Sequence, residues 1–334
     1  MCLWCKILPE YHNGLSGVPW NVEALSAIVC WDYISKTPEG FNGKSWDVEG
    51  ISRNPALPWE YVISHPKGFN GKPWSVWGLS SNPNLPWDYV ISHPEGFGGN
   101  PWCNNMLTFN HNFDWKLVER YPNGFNGKKW DTFLLSRVLP WEFIESHPGG
   151  LNGENWDVDL LCFGNISWEY VATHPEGFCG QAWNMQNLSC NPNLTVQFVK
   201  DHPNGIGGIP WDYSLLSGVI PWSYIESNPS GINGHPWNAA CLNFNKTLPW
   251  DYIALHPDGF NGVPWEVSVL CEFQDIPYDY ITSHPEGISG KPWDILTLSR
   301  NRYLSWKFVA AHPDGINGKK WDMFNLSCIN WLRD

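Results

Sequence analysis

The chain has no apolar run approaching the roughly 18 residues that a membrane-spanning helix needs, so no such span is expected. Charge is scarce: 16% of residues are charged, and 33 acids against 20 bases give a formal net charge of −13. No cluster of Lys and Arg offsets that sign, because Lys128-Lys129 and Lys319-Lys320 fill variable turn positions. Such a balance repels a phosphate backbone and argues against nucleic acid as a direct ligand. The opening Met-Cys-Leu-Trp-Cys-Lys lacks the basic and apolar segments of a secretion signal, so we expect a protein that is soluble and not secreted by the usual route. None of the glycine-rich loops is followed by the Lys-Ser/Thr of a phosphate-binding loop.

Tryptophan and regularity are abundant instead. Of 24 Trp, twelve open the same phrase: Trp, a small polar residue, and a Leu or Ile five places after the Trp. The phrase starts at Trp20, Trp46, Trp74, Trp102, Trp130, Trp156, Trp183, Trp211, Trp237, Trp265, Trp293 and Trp321. A period of 26 to 28 residues signals an array of small units that bury their apolar faces against one another. We expect one repeat domain over 1–334, with an N-terminal capping segment 1–20, regular repeats 20–321 and a C-terminal cap 322–334.

Each unit has two halves. In the second, Asp, Asn or Ser follows the Trp (Asn21, Asp47, Ser75, Asp157, Asp294), the chemistry of a helix N-cap. The Trp then stands just before the cap and the Leu at the fourth helical position, the two partners of a hydrophobic staple. Cys103 and Glu266 are the weaker occupants of the cap position. The first half reads as another short helix, with Pro at its first position (Pro58, Pro86, Pro140) and an acid in its first turn (Glu60, Asp88, Glu142, Glu169, Asp251). It must stop at His65, because Pro66 disfavours helical geometry in the residue before it. A loop with two glycines three apart follows in all twelve units, as in Gly68 and Gly71, with Phe, Leu or Ile between them. We therefore expect a mainly α solenoid of about twelve units, each two short helices joined by Gly-anchored and Asn-Pro turns. A β-solenoid is the alternative, weakened by Asp and Pro where strands would run.

The recurring polar residues invite chemical readings, and the frame offers a plainer one. His65, His93, His147, His174, His202, His256, His284 and His312 share one slot, but that slot also takes Thr37, Tyr121 and Asn228. This tolerance fits a helix-end residue bonding last-turn carbonyls better than a metal ligand. The carboxylates after the first-half Trp give way to Lys116, Gln197, Ser223 and Lys307, which favours helix-dipole pairing over acid–base catalysis. Ten Cys at unrelated phases suggest reduced, mostly buried thiols, and Cys2-Leu-Trp-Cys5 is a lone C-x-x-C. Off-pattern Trp4 and Trp77 are the Trp residues expected at the surface, with about nine in ten of the patterned ones in the core. Binding is assigned to irregular positions on the fixed frame: Lys36, Arg53, Lys67, Trp77, Glu145, Lys200 and Glu226.

The form Pro-Trp-Asp-Tyr-Ile followed by Asn-Pro-x-Leu-Pro-Trp, as in Asn82-Pro-Asn-Leu-Pro-Trp87, resembles the Trp- and Asn-Pro-rich tandem-repeat proteins encoded by giant DNA viruses of amoebae. The His-Pro-x-Gly-Phe-Asn-Gly variant is most similar to those of the marseillevirus group. The resemblance covers nearly the whole chain and implies a viral protein, in the cytoplasm of an infected host cell or in the virion. It implies no reaction and carries over no site residues. We expect a non-enzymatic scaffold, structural or protein-binding, with a protein partner, no nucleic acid or membrane, no cofactor, no metal and no catalytic residue. The rival readings are a hydrolase with its site in one irregular repeat, and a carbohydrate-binding module.

Overall fold

The computed structural model describes residues 3–164, 166–329 and 331. Twenty-four helices of four to seven residues occur among them, and no strand. The first-half helices are α1 (Trp4–Glu10), α3 (Trp31–Lys36), α5 (Trp59–Ser64), α7 (Trp87–Ser92), α9 (Lys116–Arg120), α11 (Trp141–Ser146), α13 (Trp168–Thr173), α15 (Val196–Asp201), α17 (Trp222–Ser227), α19 (Trp250–Leu255), α21 (Tyr278–Ser283) and α23 (Trp306–Ala311). The second-half helices are α2 (Val22–Ser26), α4 (Val48–Arg53), α6 (Val76–Ser81), α8 (Asn104–Phe109), α10 (Thr132–Val138), α12 (Val158–Phe163), α14 (Met185–Ser189), α16 (Tyr213–Val219), α18 (Ala239–Leu242), α20 (Val267–Phe273), α22 (Ile295–Leu298) and α24 (Met323–Cys328). The chain is thus a mainly α repeat solenoid. It divides into two compact units, one running to Lys129 and resuming at Trp293, the other spanning Trp130–Pro292.

The staple forms as its spacing requires. All twelve second-half Trp are buried, as are the Leu or Ile five residues on. Ten of the twelve cap residues accept a bond from a first-turn backbone N–H, as Asp47 does from Gly50 at 2.7 Å. Cys103 and Glu266 make no such bond. In the first half the Pro lies one place earlier than expected: Pro58 is the extended residue before the helix, and Trp59 opens it. Its missing N–H would be unsatisfied at either position, so the shift costs nothing.

The glycine loop is a two-residue hairpin. Phe69 and Lys72 exchange backbone bonds at 2.9 and 3.0 Å around Asn70 and Gly71, whose φ values are +47° and +76°. Two positive φ angles define the type I′ turn that Asn-Gly favours. The two glycines answer different needs. A Cβ on Gly68 would stand 1.8 Å from the Lys72 carbonyl oxygen, whereas one on Gly71 would meet nothing, so only its φ asks for glycine.

Neighbouring units are joined by three polar columns. A Ser six residues after the staple Trp donates to its own helix and accepts from the next cap residue's N–H: Ser26 Oγ gives to the Val22 carbonyl at 2.7 Å and receives Asp47 N at 2.9 Å. The pattern recurs at Ser52, Ser80, Ser136, Ser189, Ser217 and Ser299. Buried Asn54 donates to the preceding unit's Ser26 and Val29 carbonyls at 3.0 and 2.8 Å and accepts from Ala56 N at 2.7 Å. Asn82, Asn110, Asn191 and Asn245 repeat this clamp, and Gln274 replaces it in one unit. At the hairpin tip, Asn70 reaches the Pro38 carbonyl at 2.9 Å.

The two helix layers pack differently. Successive second-half helices lie close, α2 on α4, α4 on α6 and α6 on α8 in one unit, and α10 on α12, α12 on α14, α14 on α16 and α16 on α18 in the other. Small residues permit this: a Cβ on Gly78 would come within 2.8 Å of Ser52 Cβ. First-half helices are held apart by rings, such as Trp31 on Tyr61 and Trp222 on Tyr252, with centroids 4.5 and 4.4 Å apart.

Candidate interaction surface

The histidine slot serves the frame. His65 Nδ1 lies 3.1 Å from the Tyr61 carbonyl, so that nitrogen donates, and the ring stacks on Tyr61 at 3.9 Å with 13° between planes. His93, His174 and His256 do the same on Tyr89, Tyr170 and Tyr252. What ten of the repeats use at this slot is its backbone carbonyl, which accepts the staple indole N–H: Trp74 Nε1 to His65 O is 2.8 Å, and Trp46 Nε1 to Thr37 O is 2.6 Å. Any side chain supplies a carbonyl, which is why Thr37 and Asn228 are admitted. No group of three His, Cys, Asp or Glu placed to hold a metal ion occurs among the described residues.

The thiols require three corrections. Cys5 and Cys30 form a disulfide, against the expectation of reduced thiols, and it ties α1, the first helix of the array, to the residue before α3. Cys2, the other half of the C-x-x-C, falls outside the described residues. Burial also fails for most of the rest, since of the seven free thiols among the described residues only Cys162 and Cys271 are buried. Nor do those two lie at unrelated phases, because both take the slot of the ladder Ser. Burial pushes the Cys162 thiol up to about 12, even though it accepts the Asn184 N–H, and so it stays protonated. Cys179, Cys190, Cys241 and Cys328 are also raised, by burial first, so none of these four is an activated nucleophile.

The tryptophans also depart from expectation. Trp4 is buried at 1% exposure, not at the surface, because it packs edge-on against Trp20 and Trp331 at 5.4 and 6.3 Å. Trp77 is exposed, at 42%. In the first-half column Trp31, Trp87, Trp115, Trp168 and Trp250 are only half-buried, so that column is less of a core than its regularity suggested.

The seven irregular positions assigned to binding are all exposed, but they do not share one face. Lys36, Glu145, Lys200 and Glu226 sit on first-half helices and Lys67 in the loop after α5. Lys36 pairs with Asp32 at 2.9 Å, both side chains about 70% exposed, an i, i+4 pair worth little. Lys200 lies over the Tyr224 ring at 5.9 Å. Arg53 and Trp77 belong to the second-half layer and mark a different feature.

Positions three and seven after each staple Trp are four apart, so they fall on one helix face, opposite the buried staple Leu. They carry Glu49 and Arg53, Trp77 and Ser81, Asn105 and Phe109, Leu296 and Arg300, Phe324 and Cys328 in one unit. Of these Trp77, Phe109, Leu296 and Phe324 are large apolar side chains 42–56% exposed. In the other unit the face includes Phe133, Phe163 and Phe244, and the Phe244 ring lies tilted against exposed Phe273 at 5.6 Å. Sequence reasoning passed over these phenylalanines. The available signal was a slot filled by Glu or Asp in some units and Phe or Trp in others, which no buried position would tolerate.

A cleft of about 330 Å³ opens between the first two repeats, lined among others by Asn21, Glu23, Lys44, Asp47 and Lys72. Asn21 and Asp47 are helix caps and Lys72 Nζ donates to Ser45 Oγ at 3.1 Å, so these three side chains already serve the frame. The fold and this surface define a repeat protein with a constant frame and a variable exposed stripe. Compared with protein-family models, curated proteins and solved structures, the chain finds no match in any of the three.

Proposed function

We propose that this protein is a non-enzymatic scaffold that binds another protein through the exposed stripe of its second-half helices. The observation that carries the reading is the contrast within each helix: the staple, cap and ladder positions hardly vary, while the two outward positions change from Glu49 to Trp77 to Phe133. Exposed aromatics set among charges are the composition of protein-binding faces, where a few large rings supply most of the affinity. The groups from which catalysis or metal binding could have been argued, the His, Cap-Asp and Ser columns, are occupied with hydrogen bonds of the frame. The repeat's resemblance to giant-virus proteins supports a role in an infected host cell or virion.

The test is a double variant, Trp77→Ser/Phe109→Ser, beside a control, Glu145→Ala/Glu226→Ala, that alters the first-half layer. Affinity purification from infected cells, quantified by mass spectrometry, should show a partner retained by wild type and control and lost by the stripe variant. All three should melt alike. A partner lost with the control and kept by the stripe variant would move the interface to the first-half layer.

A further inference from the structure

The first and last repeats meet inside one unit and bond as chain neighbours do. Asn21 N donates to Ser327 Oγ at 3.1 Å, the same ladder bond that joins Asp47 to Ser26. Ser16 Oγ donates to the Pro313 carbonyl at 2.9 Å, in the place where Asn70 bonds Pro38. Second-half helices α2 and α24 pack on each other like α2 and α4. Aromatic contacts fill the remainder: Trp306 lies 5.0 Å from Tyr11 and 5.9 Å from Trp20, and Trp4 lies against Trp331. Lys320 Nζ adds a bond to the Ser16 carbonyl at 3.4 Å.

This seam differs from every other junction in being held without the chain running through it. The Cys5–Cys30 disulfide lies wholly on its first-repeat side and keeps α1, with Trp4, attached to that side. A junction built from two complementary faces of one chain can be built equally from two chains, which is the logic of domain exchange. We propose that the seam is a docking surface for a second copy of this chain, the first-repeat face of one copy taking the last-repeat face of another. Within one chain the two faces are already held together, so the monomer wins in dilute solution and exchange needs unfolding at high concentration.

Ser16 and Asp314 hydrogen-bond across the seam, and Cys179 shows that cysteine fits the turn position Ser16 occupies. A Ser16→Cys copy and an isotopically labelled Asp314→Cys copy are mixed, unfolded with disulfides intact, refolded together at roughly 1 mM and at roughly 1 µM, then oxidised. Far-ultraviolet circular dichroism checks that each variant folds, and light scattering after size exclusion follows the unaltered chain in parallel. The expected result is a doubled mass at the higher concentration, a 16–314 disulfide joining a labelled and an unlabelled copy, and neither at the lower concentration or without unfolding. Unaltered chain that refolds only as monomer at the higher concentration would overturn the proposal, and so would dimers whose cross-links avoid the 16–314 pair.

Discussion

The two tryptophan columns have nearly the same spacing and different jobs. The second-half indoles are buried throughout, and in ten repeats the indole N–H donates nine residues back to the histidine-slot carbonyl, as from Trp156 to His147 at 2.6 Å. The first-half indoles lie against rings of the next repeat, as Trp168 does on Phe198 at 4.8 Å. Their ring nitrogens at Trp59, Trp87, Trp141, Trp168 and Trp222 are buried without an acceptor among the described residues. One column fixes the loop of its own repeat to its own helix, and the other spaces adjacent repeats. Residue identity alone therefore says little about a residue's contribution; its polar partner decides.

The sharpest break of this comparison is truncation. Trp156→Ala should destabilise by about 3–5 kcal/mol, the usual cost of emptying a large aromatic site, and half-buried Trp168→Ala should cost clearly less in chemical denaturation. Equal losses would show the two columns to be equivalent. Conservative replacement isolates the indole N–H. Trp156→Phe takes one of two donors from the His147 carbonyl, which keeps the Gly150 N–H, while Trp168→Phe removes a nitrogen with no acceptor among the described residues, so the first should cost about 0.5–1.5 kcal/mol more. Beside Trp156, Ser136→Ala removes the acceptor of the Asp157 N–H and should cost about 0.5–1.5 kcal/mol. Ser136→Cys should cost less, since Cys162 already performs that role one repeat on. Trp77→Ala, on the exposed stripe, should stay within about 0.5 kcal/mol of wild type.

The smallest expected effect concerns the slot that the second column uses. Zinc or EDTA should leave the melting temperature of wild type and of a His256→Asn/His284→Asn variant unchanged, because a carbonyl-bonded imidazole gains nothing from metal. Stabilisation by zinc in the wild type alone would put a metal site at the head of the argument.

Features carried by local geometry were legible in the sequence. The cap, the staple and the stop before Pro66 depend on residues within one short helix, and their spacing suffices to place them. The histidine slot was legible because its exceptions, Thr37 and Asn228, revealed that the side chain was dispensable. The clamp of Asn82 and the ladder of Ser52 were not, since each acquires its meaning only when the neighbouring repeat presents a carbonyl or an N–H. Trp4 was misplaced for the same reason: its burial depends on Trp331, more than 300 residues away. Of the assigned binding positions Arg53 and Trp77 lie on the stripe, while the weight given to charge drew attention to Lys36, Glu145 and Lys200 on the other layer.

The ladder and the clamp connect a side chain of one repeat to main-chain groups of the next, and every residue except proline carries both kinds of group. The polar part of docking between repeats is consequently almost blind to sequence on the main-chain side. A repeat copied, deleted or exchanged in register brings its own cap, Ser and Asn and finds the same carbonyls waiting. Recombination within such a gene would redraw the exposed stripe while leaving these joints intact.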